Sequence, residues 1–198
     1  GIKGEAFGGR LTFSLDHWQM NRTGAVQNFL LNGVSQGQNV TYGTEIVLQG
    51  AESHGFEFNA FGAITDRLSI IANYTRMYTS QQNTQDPSNP GDLTALQFAP
   101  IWNYNGFAKY TIPIAKDQGL DLKAGVNGIG PFWGQFTLST GAAVLYVPHS
   151  QKNIDAGIGY QWHRYYFDFM VTNLGNDPFL ITRDQPPRSY RFSVSARF

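Results

Sequence analysis

The side chains with catalytic potential in this sequence are few and scattered. The 198 residues include four His and no Cys. That excludes a disulfide scaffold, a thiolate metal site and a thiol nucleophile. Asp16-His17 is an adjacent acid–base pair. Neighbours in a strand point to opposite faces, so the two are not placed to cooperate as a catalytic dyad. His54, His149 and His163 have no spacing that builds a metal site. Asp121 and Lys123 stand at i, i+2 on one strand face, which reads as an ion pair. Gly128-Ile129-Gly130 and Gly157-Ile158-Gly159 lack the third glycine and the following helix of a nucleotide-binding loop. Asn21-Arg22-Thr23, Asn39-Val40-Thr41 and Asn73-Tyr74-Thr75 fit the glycosylation triplet, which is common by chance. Lys and Arg total 14 against 14 Asp and Glu, so there is no basic surplus to neutralise a nucleic acid. The expectation is a protein that is not an enzyme, with no catalytic residue, no metal site and no cofactor.

What must position these side chains is a set of strands, because period-two alternation pervades the chain. Tyr190, Phe192, Val194, Ala196 and Phe198 oppose Arg191, Ser193, Ser195 and Arg197. The same pattern recurs over Leu11–Asp16, Phe56–Ala60, Leu68–Thr75, Trp102–Ile112, Leu120–Asn127, Ile154–Trp162 and Tyr165–Thr172, with Phe107 as an exception. About eight amphipathic strands result. Their connections alternate in length. Thr65-Asp66-Arg67, Pro113–Gly119 and His163-Arg164 are short, whereas Ser80–Gln97, Pro131–Gln151 and Gly175–Pro187 are long. Gly, Pro, Asn and Asp cluster at these breaks.

Charged residues make up 14% of the chain, against roughly 25% in a soluble domain. Aromatics make up 15%. No apolar run approaches the ~18 residues of a membrane helix, but a membrane strand needs only about 10 alternating residues. The polar faces are mostly Gly, Ser, Thr and Asn, which suits a wet lumen better than a surface facing bulk water. Rings gather near strand ends, at Tyr74, Tyr78, Trp102, Tyr104, Tyr110, Tyr160, Trp162, Tyr165, Tyr190 and Phe198, as in an interfacial girdle. Short turns at one end and long loops at the other are the asymmetry of an outer-membrane barrel. A soluble ring-rich sandwich is the alternative that these features weigh against.

Several ordered blocks carry a family resemblance. They are Ser53-His54-Gly55-Phe56-Glu57-Phe58 with Leu68–Thr75, Pro100 with Asn105–Tyr110, Pro148 with Ile154–Tyr160, Val171-Thr172-Asn173-Leu174, and Pro187-Arg188-Ser189-Tyr190 through Ala196-Arg197-Phe198. In this order they resemble TonB-dependent outer-membrane receptors from about Ser53 to the last residue. Gln185-Pro186 departs from the family's Gly before Pro-Arg, and Gly175–Phe179 departs from its usual sequence after Asn-Leu. The resemblance implies an all-β fold. Residues 1–198 would be the C-terminal part of an antiparallel transmembrane barrel, about eight strands of the 22 such transporters have. The N-terminal plug and the TonB-contacting segment have no counterpart in these residues. The structural alternative is a complete small barrel of eight strands, acting as a narrow channel or lipid-modifying enzyme.

The resemblance further implies a bacterial outer-membrane location and uptake of a scarce ligand, with a ferric siderophore foremost. Implied partners are the TonB complex acting through the plug, outer-membrane lipid and lipopolysaccharide, and the assembly machinery that reads Phe198. Glu57, Asp155, Asp168, Arg191 and Arg197 would face the lumen. Arg76 would face outward near the long loops, within reach of lipopolysaccharide phosphates or simply at the loop edge. Rings, an amide and an arginine in the long loops are the candidate ligand contacts: Phe132, Trp133, Gln135, Phe136, Tyr146, His149, Phe179 and Arg183. Deleting Phe198 should reduce the amount of protein inserted in the outer membrane, read by fractionation; normal insertion would remove its role as assembly signal.

Overall fold

The computed structural model describes residues 1–22, 51–82, 93–96, 98–137, 142–147, 149–177 and 187–197, together with the backbone of 25–35 and 38–48. At 82, 93, 94, 135–137 and 143 only the backbone is described. The strands are β1 (Ile2–Ala6), β2 (Leu11–Arg22), β3 (Ala25–Ser35), β4 (Gln38–Leu48), β5 (Ala51–Ala63), β6 (Leu68–Gln82), β7 (Leu93–Ala95), β8 (Trp102–Ala115), β9 (Gln118–Ile129), β10 (Gly134–Thr137), β11 (Ala143–Tyr146), β12 (Gln151–Trp162), β13 (Tyr165–Thr172) and β14 (Ser189–Ala196). There is no helix among the described residues. One sheet runs β1-β2-β5-β6-β8-β9-β12-β13-β14, with β7 pairing onto β6. The hairpins β3-β4 and β10-β11 form small sheets of their own. Every pairing is antiparallel.

All eight strands expected from alternation are present, most of them longer than the pattern alone showed. Added to them are β1, β7 and the two hairpins. The sheet does not close: β1 pairs only β2, and β14 pairs only β13. The expected alternative of an eight-stranded barrel closed on itself is therefore not the observed arrangement. Closure would require β1 to hydrogen-bond β14, and the two lie at opposite ends of the strand order.

Register sorts the side chains into rows that cross the sheet. One outward row reads Leu11–Gly62–Ile70–Ala108–Ala124–Ala156–Val171–Tyr190. The next reads Leu68–Tyr110–Leu122–Ile158–Phe169–Phe192. Large apolar side chains stand well exposed on this face, among them Phe56, Leu122, Ile158 and Phe192. A face of this kind is stable only against lipid or another apolar surface. The inward rows are polar. The clearest is Ser14–Asn59–Asn73–Asn105–Asn127–Asn153, five asparagines from five adjacent strands in direct register. Asn is a poor strand former, so its recurrence mid-strand needs a cause. Each carboxamide can donate and accept, and the ladder lets neighbours do both. Asn73 Nδ2 donates to Asn59 Oδ1 at 2.6 Å, and Asn59 Nδ2 donates to Ser14 Oγ at 3.4 Å and to Glu57 Oε1 at 3.0 Å.

At the short-turn end, Pro113–Ala115 continues β8 through a bulge, so the β8–β9 turn is Lys116-Asp117 rather than the whole expected stretch. Asp117 and His163 take left-handed backbone at φ 57° and 51°, each in a two-residue turn. Arg10 and Asp66 form an ion pair between the β1–β2 and β5–β6 turns. Beside them Gly62 has φ 135°, and a Cβ there would lie 2.1 Å from the Arg10 carbonyl oxygen. Gly62→Val should therefore cost about 3 kcal/mol or more through backbone strain and clash. In the full-length protein it should diminish the compact, heat-modifiable band on gels of outer membranes.

Candidate functional site

The concave face holds two clusters, one near each end of the strands. The lower one forms because register brings β8, β9 and β13 residues together around Asp121 and Lys123. Thr111 Oγ1 donates to Asp121 Oδ1 at 2.6 Å, and Tyr166 OH donates to Asp121 Oδ2 at 2.8 Å. Lys123 Nζ donates to Asp168 Oδ1 at 2.6 Å and lies 5.2 Å from the Tyr166 ring centroid. The expected pair Asp121–Lys123 is thus corrected. Both residues face the same side, but each takes a partner from another strand. Thr111 is the direct cross-strand neighbour of Asp121, whereas Tyr166 and Asp168 lie two strands away on β13 and are met across Gly157 and Gly159 of β12, which put no side chain in between. Lys123 and Asp168 are only 11% and 15% exposed, so the bond is well shielded.

Above this network Phe61, Ile71 and Phe107 form an apolar row, with Thr12 on one flank and Gly125 on the other. Phe61 is 59% and Ile71 50% exposed. Phe107 was the one visible breach of alternation; the structure shows it to be one of three in register. Ser69, Lys109, Gln161, Ser195 and Arg197 share with them the lining of a cavity of about 1000 Å³. The network and this row make a wall with fixed polar groups and an apolar shelf.

The upper cluster joins two long loops. Phe98 N–H donates to the Trp133 carbonyl at 2.7 Å, and Ile101 N–H donates to the Pro131 carbonyl at 3.3 Å. Phe132 is 4% exposed and packs with Ile129, Phe98 and Tyr146. Its ring centroid lies 6.4 Å from that of Phe98 and 6.1 Å from that of Tyr146. Of the candidate ligand contacts, then, Phe132, Trp133 and Tyr146 come together, with Phe132 enclosed among its neighbours. Gln135 and Phe136 lie on β10, opposite Leu145 and Val144 of β11. His149 is exposed outside this cluster. Phe179, Arg183 and Phe198 lie outside the described residues. Phe98 was not among the expected residues; its neighbouring Pro100 was the only signal.

The other candidates drawn from the sequence separate as strand geometry requires. His17 is on the convex face with its ring 4.9 Å from Phe56, whereas Asp16 is concave and opposite Glu57. His54 stacks on Tyr78 and pairs with Glu52, and His163 sits in its turn. Asp155 Oδ1 accepts from Asn173 N–H at 2.9 Å. Arg191 is on the inward face of β14 by register, and Arg197, just past the end of that strand, lines the cavity.

Comparison with solved structures identifies the architecture. The chain superposes on the ferripyoverdine receptor of the outer membrane of Pseudomonas aeruginosa with a TM-score of 0.76 and 16% identity, over 97% of this chain and 25% of that one. For the ferric-catecholate import receptor Fiu from E. coli K12 the values are 0.72 and 19%, over 99% and 26%. For the siderophore receptor PirA from Acinetobacter baumannii they are 0.67 and 19%, over 99% and 30%. The chain spans less than a third of the length of each. No family model and no curated protein matches the sequence. The fold is that of the barrel wall of TonB-dependent outer-membrane receptors.

The shielded pair gives a stability test. Lys123→Met leaves the Asp168 carboxylate without its cation and should destabilise the folded full-length barrel by about 3 kcal/mol. Adding Asp168→Leu should restore most of that, read as the denaturant midpoint in lipid vesicles.

Proposed function

We propose that this chain is the C-terminal barrel segment of a TonB-dependent receptor that takes up a ferric siderophore across the bacterial outer membrane. The observation that carries the reading is the two-faced open sheet. Nine successive strands turn apolar rows outward and polar rows inward, with short turns at one end and long connections at the other. Three solved receptors of siderophores share that wall over nearly the whole chain. A wall open at both edges calls for further strands, because unpaired strand edges are not tolerated in hydrocarbon.

In this reading the segment contributes wall, loops and the terminal assembly signal, and no bond-making chemistry. A plug from elsewhere in the protein fills the lumen and passes on the work delivered through TonB. The ligand meets the long loops. There the Phe98–Phe132–Tyr146 cluster holds the β6–β8 and β9–β12 connections together beside Trp133; Gln135, Phe136, His149, Phe179 and Arg183 are the further contacts that the reading assigns to the ligand. Rings supply flat contact area and Arg an anion partner, which suits a bulky, negatively charged chelate.

Uptake settles the proposal. Iron-starved cells lacking the gene should fail to accumulate radioiron from one member of a panel of ferric siderophores. The intact gene should restore uptake in cells with TonB and not in cells without it. Unchanged uptake of every siderophore in the panel, or restored uptake without TonB, would sink the reading. Tyr146→Ala should weaken binding of the same ligand at the cell surface while leaving the receptor's abundance unchanged.

A further inference from the structure

The charges of this chain balance in number but not in place. Its short connections are residues 7–10, 64–67, 116–117 and 163–164, and residue 197 follows the end of β14 on the same side. Each of these five places carries a cation: Arg10, Arg67, Lys116, Arg164 and Arg197. Only Asp66 and Asp117 stand against them. The whole chain has 14 cations and 14 carboxylates, so the excess of three at this rim is matched by a deficit of three elsewhere. Arg10 is committed to Asp66. Arg164 lies along its neighbour, with its guanidinium carbon 5.2 Å from the Tyr165 ring centroid and Nη2 donating to Tyr165 OH at 3.1 Å. Arg67, Lys116 and Arg197 are exposed and have no carboxylate partner among the described residues.

These cations belong to the mouth of the lumen rather than to the lipid face. Arg10, Arg67 and Arg197 alternate with Leu11, Leu68 and Ala196, whose rows face outward. Successive short connections lie two strands apart, roughly 10 Å, so the cations form a spaced row. Backbone bonds fix it. The Asp117 carbonyl accepts from His163 N–H at 2.8 Å, the Arg164 carbonyl from Arg197 N–H at 2.9 Å, and the Arg67 carbonyl from Thr111 N–H at 2.8 Å. Above the row opens the cavity of about 1000 Å³, which Arg197, Lys109 and Lys123 line together with Phe61, Ile71 and Phe107. That is the size of a small-molecule site. Lys109 and Lys123 stand directly opposite each other on neighbouring strands, where like charges repel. Asp168 answers Lys123, whereas Lys109 has no ion-pair partner among the described residues.

We propose that the short-turn mouth is a weak anion site, where neighbouring members of the row Arg67, Lys116 and Arg197, with Lys109 above, hold a multiply charged iron(III) chelate as it leaves the lumen. The anion's charge meets guanidinium and ammonium groups, and its organic arms meet Phe61, Ile71 and Phe107 on the way down. Exposed cations held apart attract an anion from a distance and grip it weakly, which suits a site that must release. In an outer-membrane barrel the short turns face the periplasm, so this row stands at the exit. The exit role rests on the transport reading; the anion site itself does not.

The test is equilibrium dialysis of the full-length receptor in mild detergent against two radioiron probes. Iron(III) tris-catecholate is a trianion, and iron(III) tris-acetohydroxamate is neutral. Wild type should show a weak trianion component that the neutral chelate lacks and that fades as salt is raised. This comparison needs no variant. Arg67→Gln/Lys116→Gln/Arg197→Gln should weaken that component about tenfold, as expected for three lost exposed charge contacts. Arg67→Lys/Lys116→Arg/Arg197→Lys should keep it, and so should Tyr146→Ala in the loop cluster. In cells the glutamine variant should bind siderophore at the surface as wild type does and accumulate iron severalfold more slowly. Equal binding of the neutral chelate, an unchanged trianion component in the glutamine variant, or its loss in Tyr146→Ala would each overturn the site. So would the absence of the component from wild type, which is what an acidic segment of the protein seated on the row would give. In those cases TonB-dependent uptake stands untouched. Failure of uptake for the whole siderophore panel would remove the transport reading and the exit role together, while the dialysis result on the anion site would stand.

Discussion

Everything in this chain answers to one requirement: in hydrocarbon, a backbone N–H or C=O has only the protein to bond with. A helix meets that requirement within itself; a strand must be flanked on both sides. The result is a sheet in which each strand along the main path between β2 and β13 has two neighbours. The requirement also explains the strict pleat. Once a strand is committed to two neighbours, its side chains have two destinations, lipid or lumen. Each position is then judged by one of two solvents. The aromatic excess and charge scarcity of the composition are the sum of those judgements.

The two faces solve different problems. The outer one is uniform because lipid is uniform, and it tolerates Ala, Val, Ile, Leu and Phe alike. The inner one is specific. Its carboxylates and ammonium groups are placed so that the shielded Asp121, Lys123 and Asp168 each find partners on other strands. Phe61, Ile71 and Phe107 show that inward does not mean hydrophilic throughout. At the rim a third regime holds. There the β6–β8 and β9–β12 connections pack on each other through Phe98, Phe132 and Tyr146, building a small core of the kind a soluble protein has.

The division between what alternation reveals and what it hides follows from these regimes. Strands that meet lipid on one side and lumen on the other write that contrast into every second residue, so Trp102–Ile112 or Ile154–Trp162 can be read directly. β1 is five residues long, too short for a pattern to stand out. β3 and β4 form a sheet of their own; Val40, Tyr42, Ile46 and Leu48 alternate with Thr41, Gly43 and Glu45, but Phe29-Leu30-Leu31 interrupts the pattern in the partner strand. Pair partners are hidden for another reason. That Lys123 reaches Asp168 rather than Asp121 depends on the register of three strands, which no local window contains. Ile71 escaped notice between Ile70 and Ala72 because a run of apolar residues conceals which of them faces inward. The loop cluster unites Phe98 with Phe132, far along the chain, a pairing that only the folded connections create.

The asparagine row has a meaning for how such a sheet finds its alignment. A strand displaced by one position would push its carboxamide into lipid, where an unpaired amide is expensive. A strand displaced by two would keep its faces correct and pass that check. It would then set an asparagine against Glu57, Thr75 or Phe107 in place of another asparagine. The row therefore works like the zero mark of a vernier. Four of the strands carry one tick each and are held to the true alignment, while β8 carries a second, Asn103, and could slip by two and still meet an asparagine.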